Sequence, residues 1–319
     1  MPDDTVIDDP MGSRVGLERL TAHLQDRYGI RVAELTELDL GVFRVDRHDG
    51  PTWVARVFPA ARALSEVEGD AKILNVLQKA GFPAERCAHP EAVSTHEGQG
   101  VLVTEFVPGV GPDGRGRTFA ILGALLGALH THAGAASRNG GAWHHLCASG
   151  GPREEIDAAL ALLDQARSAV PVEQLHVFDA LQDELESADD CADLPQAFVH
   201  PDFVPANAIE SPDGSLVMVD WAGSGRGPRV WSLGLLLWAA GARDLRLVDA
   251  VVSRYRKRIR LEPQELARLD AAIRARPLTL DCWSLCMGRK APAAVMRDVA
   301  RNADLAQTIA ARARQAFEA

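Results

Sequence analysis

No run of eighteen apolar residues occurs in this chain, and Met1 to Met11 contains no charged segment leading into an apolar one. The first absence argues against a membrane-spanning helix and the second against a secretory signal. Paired cysteines are missing as well. The five Cys, at 87, 147, 191, 282 and 286, are odd in number and scattered, which excludes a disulfide framework and fits reduced thiols in a cytoplasm. Cys282 and Cys286 are four apart and would share a helix face. No His or Cys pair at zinc-site spacing lies near them, so packing is their expected role. A basic excess is also lacking: the formal net charge is −10, which disfavours a nucleic acid partner. The one local basic run, RYRKRIR at 254–260, reads as the solvated face of a helix. No internal repeat is evident.

What remains is an ordinary globular chain, 319 residues long with 47% hydrophobic and 24% charged residues. That length suits one large domain or a two-lobed one. The acidity is local, because residues 154–193 hold twelve Asp and Glu against one Arg. Two readings of this segment are open. It could attract a cationic partner, or its acids could solvate two helices.

Polar residues concentrate at 200–223, HPDFVPANAIESPDGSLVMVDWAG. Two apolar strand-like runs, QAFV (196–199) and LVMVD (216–220), each end in polar residues, and the turn SPDGS precedes the second. His200, Asp202, Asn207 and Asp220 are thereby gathered at strand ends. One carboxylate could take a proton from an attacking hydroxyl, while an Asn and a second carboxylate hold Mg²⁺ on nucleotide phosphates.

Ahead of this stretch, GLERLTAHLQDRYG (16–29) has Leu17, Leu20 and Leu24 at helical spacing and stops at Gly29. Residues 1–14 are poor in apolar side chains, and a mobile tail is expected there. The runs RVAELTEL, GVFRVDRH and TWVARVF predict an antiparallel meander. A helix over 61–80 and a hairpin over 92–107 follow. Asp70 precedes Ile73, Leu74 and Leu77 by three, four and seven residues, which puts it on the inward stripe of that helix, with Glu66 one turn earlier. Two long helical patterns over 118–134 and 229–241 flank the acidic segment and the central stretch, and 243–319 reads as helix without a motif.

HPDFVPAN followed by VDWAG resembles the catalytic loop and metal segment of the aminoglycoside phosphotransferase-like family, which includes choline kinases and shares the protein-kinase-like fold. The resemblance extends over about 35–240. It implies an α+β, bilobal fold: a tail and helix at 1–31, a small antiparallel-sheet N-lobe at 32–106 that binds nucleotide, and a mostly helical C-lobe at 107–319. It also implies an ATP- and Mg²⁺-dependent transfer to a hydroxyl of a small molecule, such as an aminoglycoside or another amino-bearing metabolite, with GTP open as the donor. By position, Asp202 becomes the catalytic base, His200 a support for its loop, and Asn207 and Asp220 the metal ligands. Arg56 becomes the phosphate contact, Asp70 its partner with Glu66 in reserve, and the Glu105 carbonyl and Val107 amide the adenine contacts.

The chain departs from the family pattern at three places. Arg56 stands where the pattern has Lys, and a planar fork is not equivalent to a point charge. TELDLGVFRV has a single Gly where several would let amides approach phosphate. Ser232 replaces an Asp that anchors the catalytic loop in many relatives. These departures keep open a second reading, a weak or inactive kinase-fold protein that binds nucleotide without transfer.

Overall fold

The structure, a computed structural model, describes residues 16–132 and 151–319; the expected tail at 1–14 and the end of the helical pattern expected over 118–134 lie outside them. The N-lobe begins with α1 (Leu17–Tyr28), closed by Gly29 in the left-handed conformation (φ 65°) that glycine adopts without a Cβ penalty. Next come β1 (Val32–Asp39), β2 (Val42–Arg47), β3 (Trp53–Val57), α2 (Leu64–Lys79), β4 (Val93–His96) and β5 (Gln99–Glu105). The five strands form one antiparallel sheet in the order β1-β2-β3-β5-β4.

Strand alternation sorts the side chains of this sheet. Phe43, Val45, Trp53, Ala55, Val57, Val101 and Val103 are buried on one face. There α1 covers them: the Tyr28 ring meets Trp53 edge-on at 5.8 Å, and its hydroxyl donates to Ser94 at 3.1 Å. The opposite face carries Arg44, Val54, Arg56, Leu102 and Thr104, with Arg56 across from Val42 and from Leu102. Helix α2 packs on that face, and Gly100 permits the approach because a Cβ there would meet Val67 at 2.8 Å.

The C-lobe comprises α3 (Gly116–Thr131), α4 (Pro152–Arg167), α5 (Leu175–Glu186), β6 (Gln196–Val199), β7 (Ala208–Glu210), β8 (Leu216–Met218), β9 (Gly225–Pro228), α6 (Arg229–Gly241), α7 (Leu245–Tyr255), α8 (Pro263–Ala267), α9 (Leu269–Cys286) and α10 (Pro292–Glu318). The molecule is therefore α+β and bilobal, a small sheet domain joined to a helical one. Two core clusters fill it, the larger running through both lobes and the smaller lying under α4, α5, α9 and α10. No helix among the described residues is long and apolar enough to cross a membrane.

QAFV pairs with β9, while the second run pairs with β7 through the Ser211–Ser215 turn. Two expectations change. Helix α7 ends at Tyr255, so most of the basic run lies past the helix, with Tyr255 and Ile259 buried. Nor are all the acids of 154–193 solvated. Glu155 is 2% exposed, and Asp189 with Asp193, Glu184 and Glu155 pair respectively with Arg268, Arg274 and Arg276 of α8–α9.

Candidate active site

Residues 200–207 leave β6 as a loop held by several hydrogen bonds. His200 is fully buried and its Nδ1 accepts from the Asp202 amide at 3.0 Å. An acceptor at Nδ1 leaves the proton on Nε2, which donates to the Val219 carbonyl at 3.2 Å. Burial holds the imidazole below its ordinary titration range, against the opposing pull of Asp220 and Asp202, so it is a neutral strut. Its ring also meets Trp221 edge-on at 4.7 Å. Asn207 Nδ2 donates to the Asp202 carbonyl at 3.0 Å, and the Val219 amide donates to the Asn207 carbonyl at 3.0 Å. The loop that carries Asp202 and the segment that ends in Asp220 are thus sewn together along their backbones.

Ser232, the departure at the buried α6 helix, supplies the anchor. Its hydroxyl donates to the His200 carbonyl at 2.9 Å, fully enclosed. A neutral hydroxyl here grips a carbonyl from below, so the loop is tied without a carboxylate.

Asp220 follows β8 with φ 65°, one of three non-glycine residues in the left-handed region among the described residues. Its carboxylate Oδ1 accepts from Arg56 Nη1 at 2.6 Å, so the cation of β3 and the proposed metal ligand of the C-lobe meet directly. Asp70 is 1% exposed on the sheet-facing side of α2 and takes a hydrogen bond from Arg62 at 2.7 Å. It lines the same small cavity as Arg56 and Glu85, and its charge acts on Arg56. Glu66 is half-buried in the first turn of the helix.

At the junction of the lobes, the Phe106 amide donates to the Thr52 carbonyl at 3.1 Å and the Glu105 amide to the Arg86 carbonyl at 2.8 Å. The Glu105 amide therefore faces the Arg86 connector rather than β3, and Val107 lies past the end of the strand. Val110 and Glu210 then exchange a pair of backbone bonds, at 3.2 and 2.8 Å. Gly109 stands where a Cβ would lie 2.4 Å from the Glu210 carbonyl oxygen, so the crossing strands need glycine there. The single glycine of the β1–β2 turn, Gly41 (φ 69°), accepts from the Val57 amide at 2.7 Å through its carbonyl.

Two residues escape sequence reasoning. Arg276 of α9 donates from Nη2 to Asp202 Oδ1 at 2.5 Å and from Nη1 to Glu155 at 2.7 Å, while the Thr279 hydroxyl bonds the same Glu155 oxygen at 2.8 Å. Glu85, on the connector between α2 and β4, accepts from the Asp220 amide at 2.7 Å and from the Thr104 hydroxyl at 3.1 Å. Burial pushes its carboxyl upward, countered by Arg56. Neither lies in a motif, and each reaches its partner across a separation of 74 and 135 residues respectively.

A sheet lobe and a helical lobe, with an Asp–Asn loop and a second carboxylate between them, define a protein of the kinase-like fold. The profile described as the phosphotransferase enzyme family matches residues 34–276, and the chain belongs to that family. Solved structures agree on the fold. An amicoumacin kinase in complex with AMP-PNP and Ca²⁺ is 16% identical, with 90% of this chain and 93% of that one covered and a TM-score of 0.65. The choline kinase of Streptococcus pneumoniae is 15% identical, with 92% and 99% covered and a TM-score of 0.62. An aminoglycoside phosphotransferase from Alicyclobacillus acidocaldarius is 16% identical, with 96% and 97% covered and a TM-score of 0.61. No curated protein sequence matches the chain.

Proposed function

We propose that this protein transfers the γ-phosphoryl group of ATP to a hydroxyl of a small molecule. The observation that carries the reading is the Asp202 loop, fixed by His200, Asn207 and Ser232 beside the segment that presents Asp220. Transfer through a loose transition state asks chiefly for positioning and charge neutralisation. With Arg276 on Oδ1, the second oxygen of Asp202 takes the proton of the acceptor hydroxyl. The acceptor oxygen bonds to the γ-phosphorus, and the bond from that phosphorus to the bridging oxygen breaks, releasing ADP.

The donor set fits Mg²⁺, which takes one or two carboxylate or amide oxygens and completes its shell with phosphates and water. Asp220 supplies the carboxylate. Asn207, whose amide nitrogen is spent on the Asp202 carbonyl, supplies Oδ1. When bound, the ion neutralises charge on the phosphates. Arg56 contacts the α and β phosphates, while the Glu105 carbonyl and Val107 amide pair with the adenine edge.

Arginines take up Glu155, Glu184, Asp189 and Asp193. Those acids are spent on holding the helices, which removes much of the argument for a polycationic acceptor, and the acceptor class is left as a small alcohol. A panel of amino alcohols, sugars and aminoglycosides with Mg-ATP tests the reading by mass spectrometry. Phosphorylated product is expected with at least one of them, and Asp202→Ala should lower turnover by about 10²- to 10⁴-fold, the range of a lost general base. Unchanged turnover in that variant would remove Asp202 from its role, and Mg-nucleotide binding without transfer to any acceptor would favour the inactive-kinase reading.

A further inference from the structure

Asp220 is asked to do two things, since Arg56 already holds one of its oxygens at 2.6 Å and a divalent cation would need the same carboxylate. A guanidinium offers five donors and stays charged at every working pH, so an Arg at this position binds a lone carboxylate more firmly than a hydrated ammonium does. An unshared Arg56–Asp220 pair would therefore compete with the metal.

We propose that Glu85 is a positioning residue that shares Arg56 with Asp220 and so keeps the Asp220 carboxylate available to a divalent cation. The inference rests on the phosphotransferase reading above. Glu85 and Arg56 line one small cavity with Asp70, Thr104 and Trp221, and the charges acting on Arg56 include Asp220, Glu85 and Asp70. Both Glu85 oxygens are fixed, Oε1 by the Asp220 amide and Oε2 by the Thr104 hydroxyl. The backbone carrying it is fixed as well, because the Glu85 amide donates to the Met218 carbonyl at 3.0 Å and the Met218 amide to the Pro83 carbonyl at 2.9 Å. Its carboxylate thus stands in constant register with Asp220, and it holds the amide of a residue in the left-handed region that would otherwise drift toward commoner backbone angles. Arg56 in place of Lys and a carboxylate at 85 become two halves of one device.

Glu85→Gln is a clean probe, since a glutamine can accept from the Asp220 amide and donate to Thr104 while removing the charge. The full chain is titrated with AMP-PNP by calorimetry at increasing Mg²⁺, with EDTA as the metal-free limit, and thermal melting checks the fold. Glu85→Gln should raise the Mg²⁺ concentration for half-maximal effect about tenfold and change the metal-free affinity less than threefold. In an Arg56→Met background the same substitution should shift the Mg²⁺ requirement less than threefold, because the competing cation is gone. Thr104→Val, which frees one oxygen of Glu85, should move the requirement in the same direction by a smaller factor and serves if the glutamine variant does not fold. A Mg²⁺ requirement unchanged by Glu85→Gln, or changed equally with and without Arg56, overturns the proposal alone. A wild-type protein whose AMP-PNP binding ignores Mg²⁺ overturns the metal reading itself, and this inference with it.

Discussion

Arg276 carries charge for two carboxylates at once, one buried in the helical lobe and one at the proposed centre of transfer. Arg276 and Glu155 are 3% and 2% exposed, so removing the cation takes the opposite charge from a buried carboxylate that Arg276 Nη1 holds at 2.7 Å. Breaking one partner out of a buried pair costs about 3–5 kcal/mol. Arg276→Met should therefore lose about that much in urea unfolding, and Arg276→Met with Glu155→Leu should regain most of it, since an apolar pair of similar volume removes the buried charge. His200, Asp202, Asn207 and Asp220 are legible in the sequence because they sit within twenty-one positions of one another at strand ends. Arg276, Glu155 and Glu85 are not. They act through contacts across the chain, and a lone Arg in a helix or a lone Glu after one has no spacing to distinguish it from a solvated residue.

Helix α3 shows the same division between local and tertiary signals. Its LG-x-x-LG-x-LH wording, residues 122–130, announces a helix with small residues on one side, and the structure brings Gly123 and Gly127 against α7. A Cβ at Gly123 would lie 2.4 Å from the Val251 carbonyl oxygen, backbone that cannot swing aside. Gly123→Ala should force α3 from α7 and cost about 1–3 kcal/mol, the range for overpacking. Gly116→Ala, at the open start of the same helix where an added Cβ meets nothing within 4 Å, should cost none. Denaturant midpoints of the two variants, measured side by side, decide. The pattern predicts the small-residue side but not the partner helix, whose Val251 lies 128 residues after Gly123. The partner of QAFV is not legible in the sequence for a related reason: a four-residue apolar run specifies a strand without naming its neighbour.

For the molecule as a whole, two buried histidines contribute to the loss of stability on the acid side. Burial lowers His130, bonded to the Tyr255 hydroxyl at 2.9 Å, to about 3, and lowers His200 as well. In the unfolded chain each titrates near 6.5. The native state keeps them neutral, so their contribution is complete above pH ~6.5 and is lost as pH falls below that toward their folded values, by up to about 1.4 kcal/mol per pH unit for each. Glu85 and Glu155, raised by burial, work in the opposite sense above the ordinary carboxylate range. The difference between wild type and His130→Gln isolates one term: urea midpoints at pH 7.5, 6.5 and 5.5 should fall less steeply in the variant. The nucleotide supplies a second global readout. At a hundredfold excess over its Kd, Mg-AMP-PNP should add about 2.7 kcal/mol to stability, visible as a rise in Tm, and Asp220→Asn should remove most of that rise while leaving the ligand-free Tm close to wild type.

The single proton on His200 has one more consequence, for spectroscopy. Its ring touches the amide of Asp202 and the carbonyl beside Asp220, so a ¹⁵N-labelled histidine there is a reporter wired to both halves of the centre. Its two nitrogens should show the fixed Nε2–H tautomer of a neutral imidazole at pH 7.5, and burial should place any titration below that of a free histidine. A nucleotide that shifts either half against the other would register there as a change in the shift of one nitrogen, and which of the two responds would tell which half had moved.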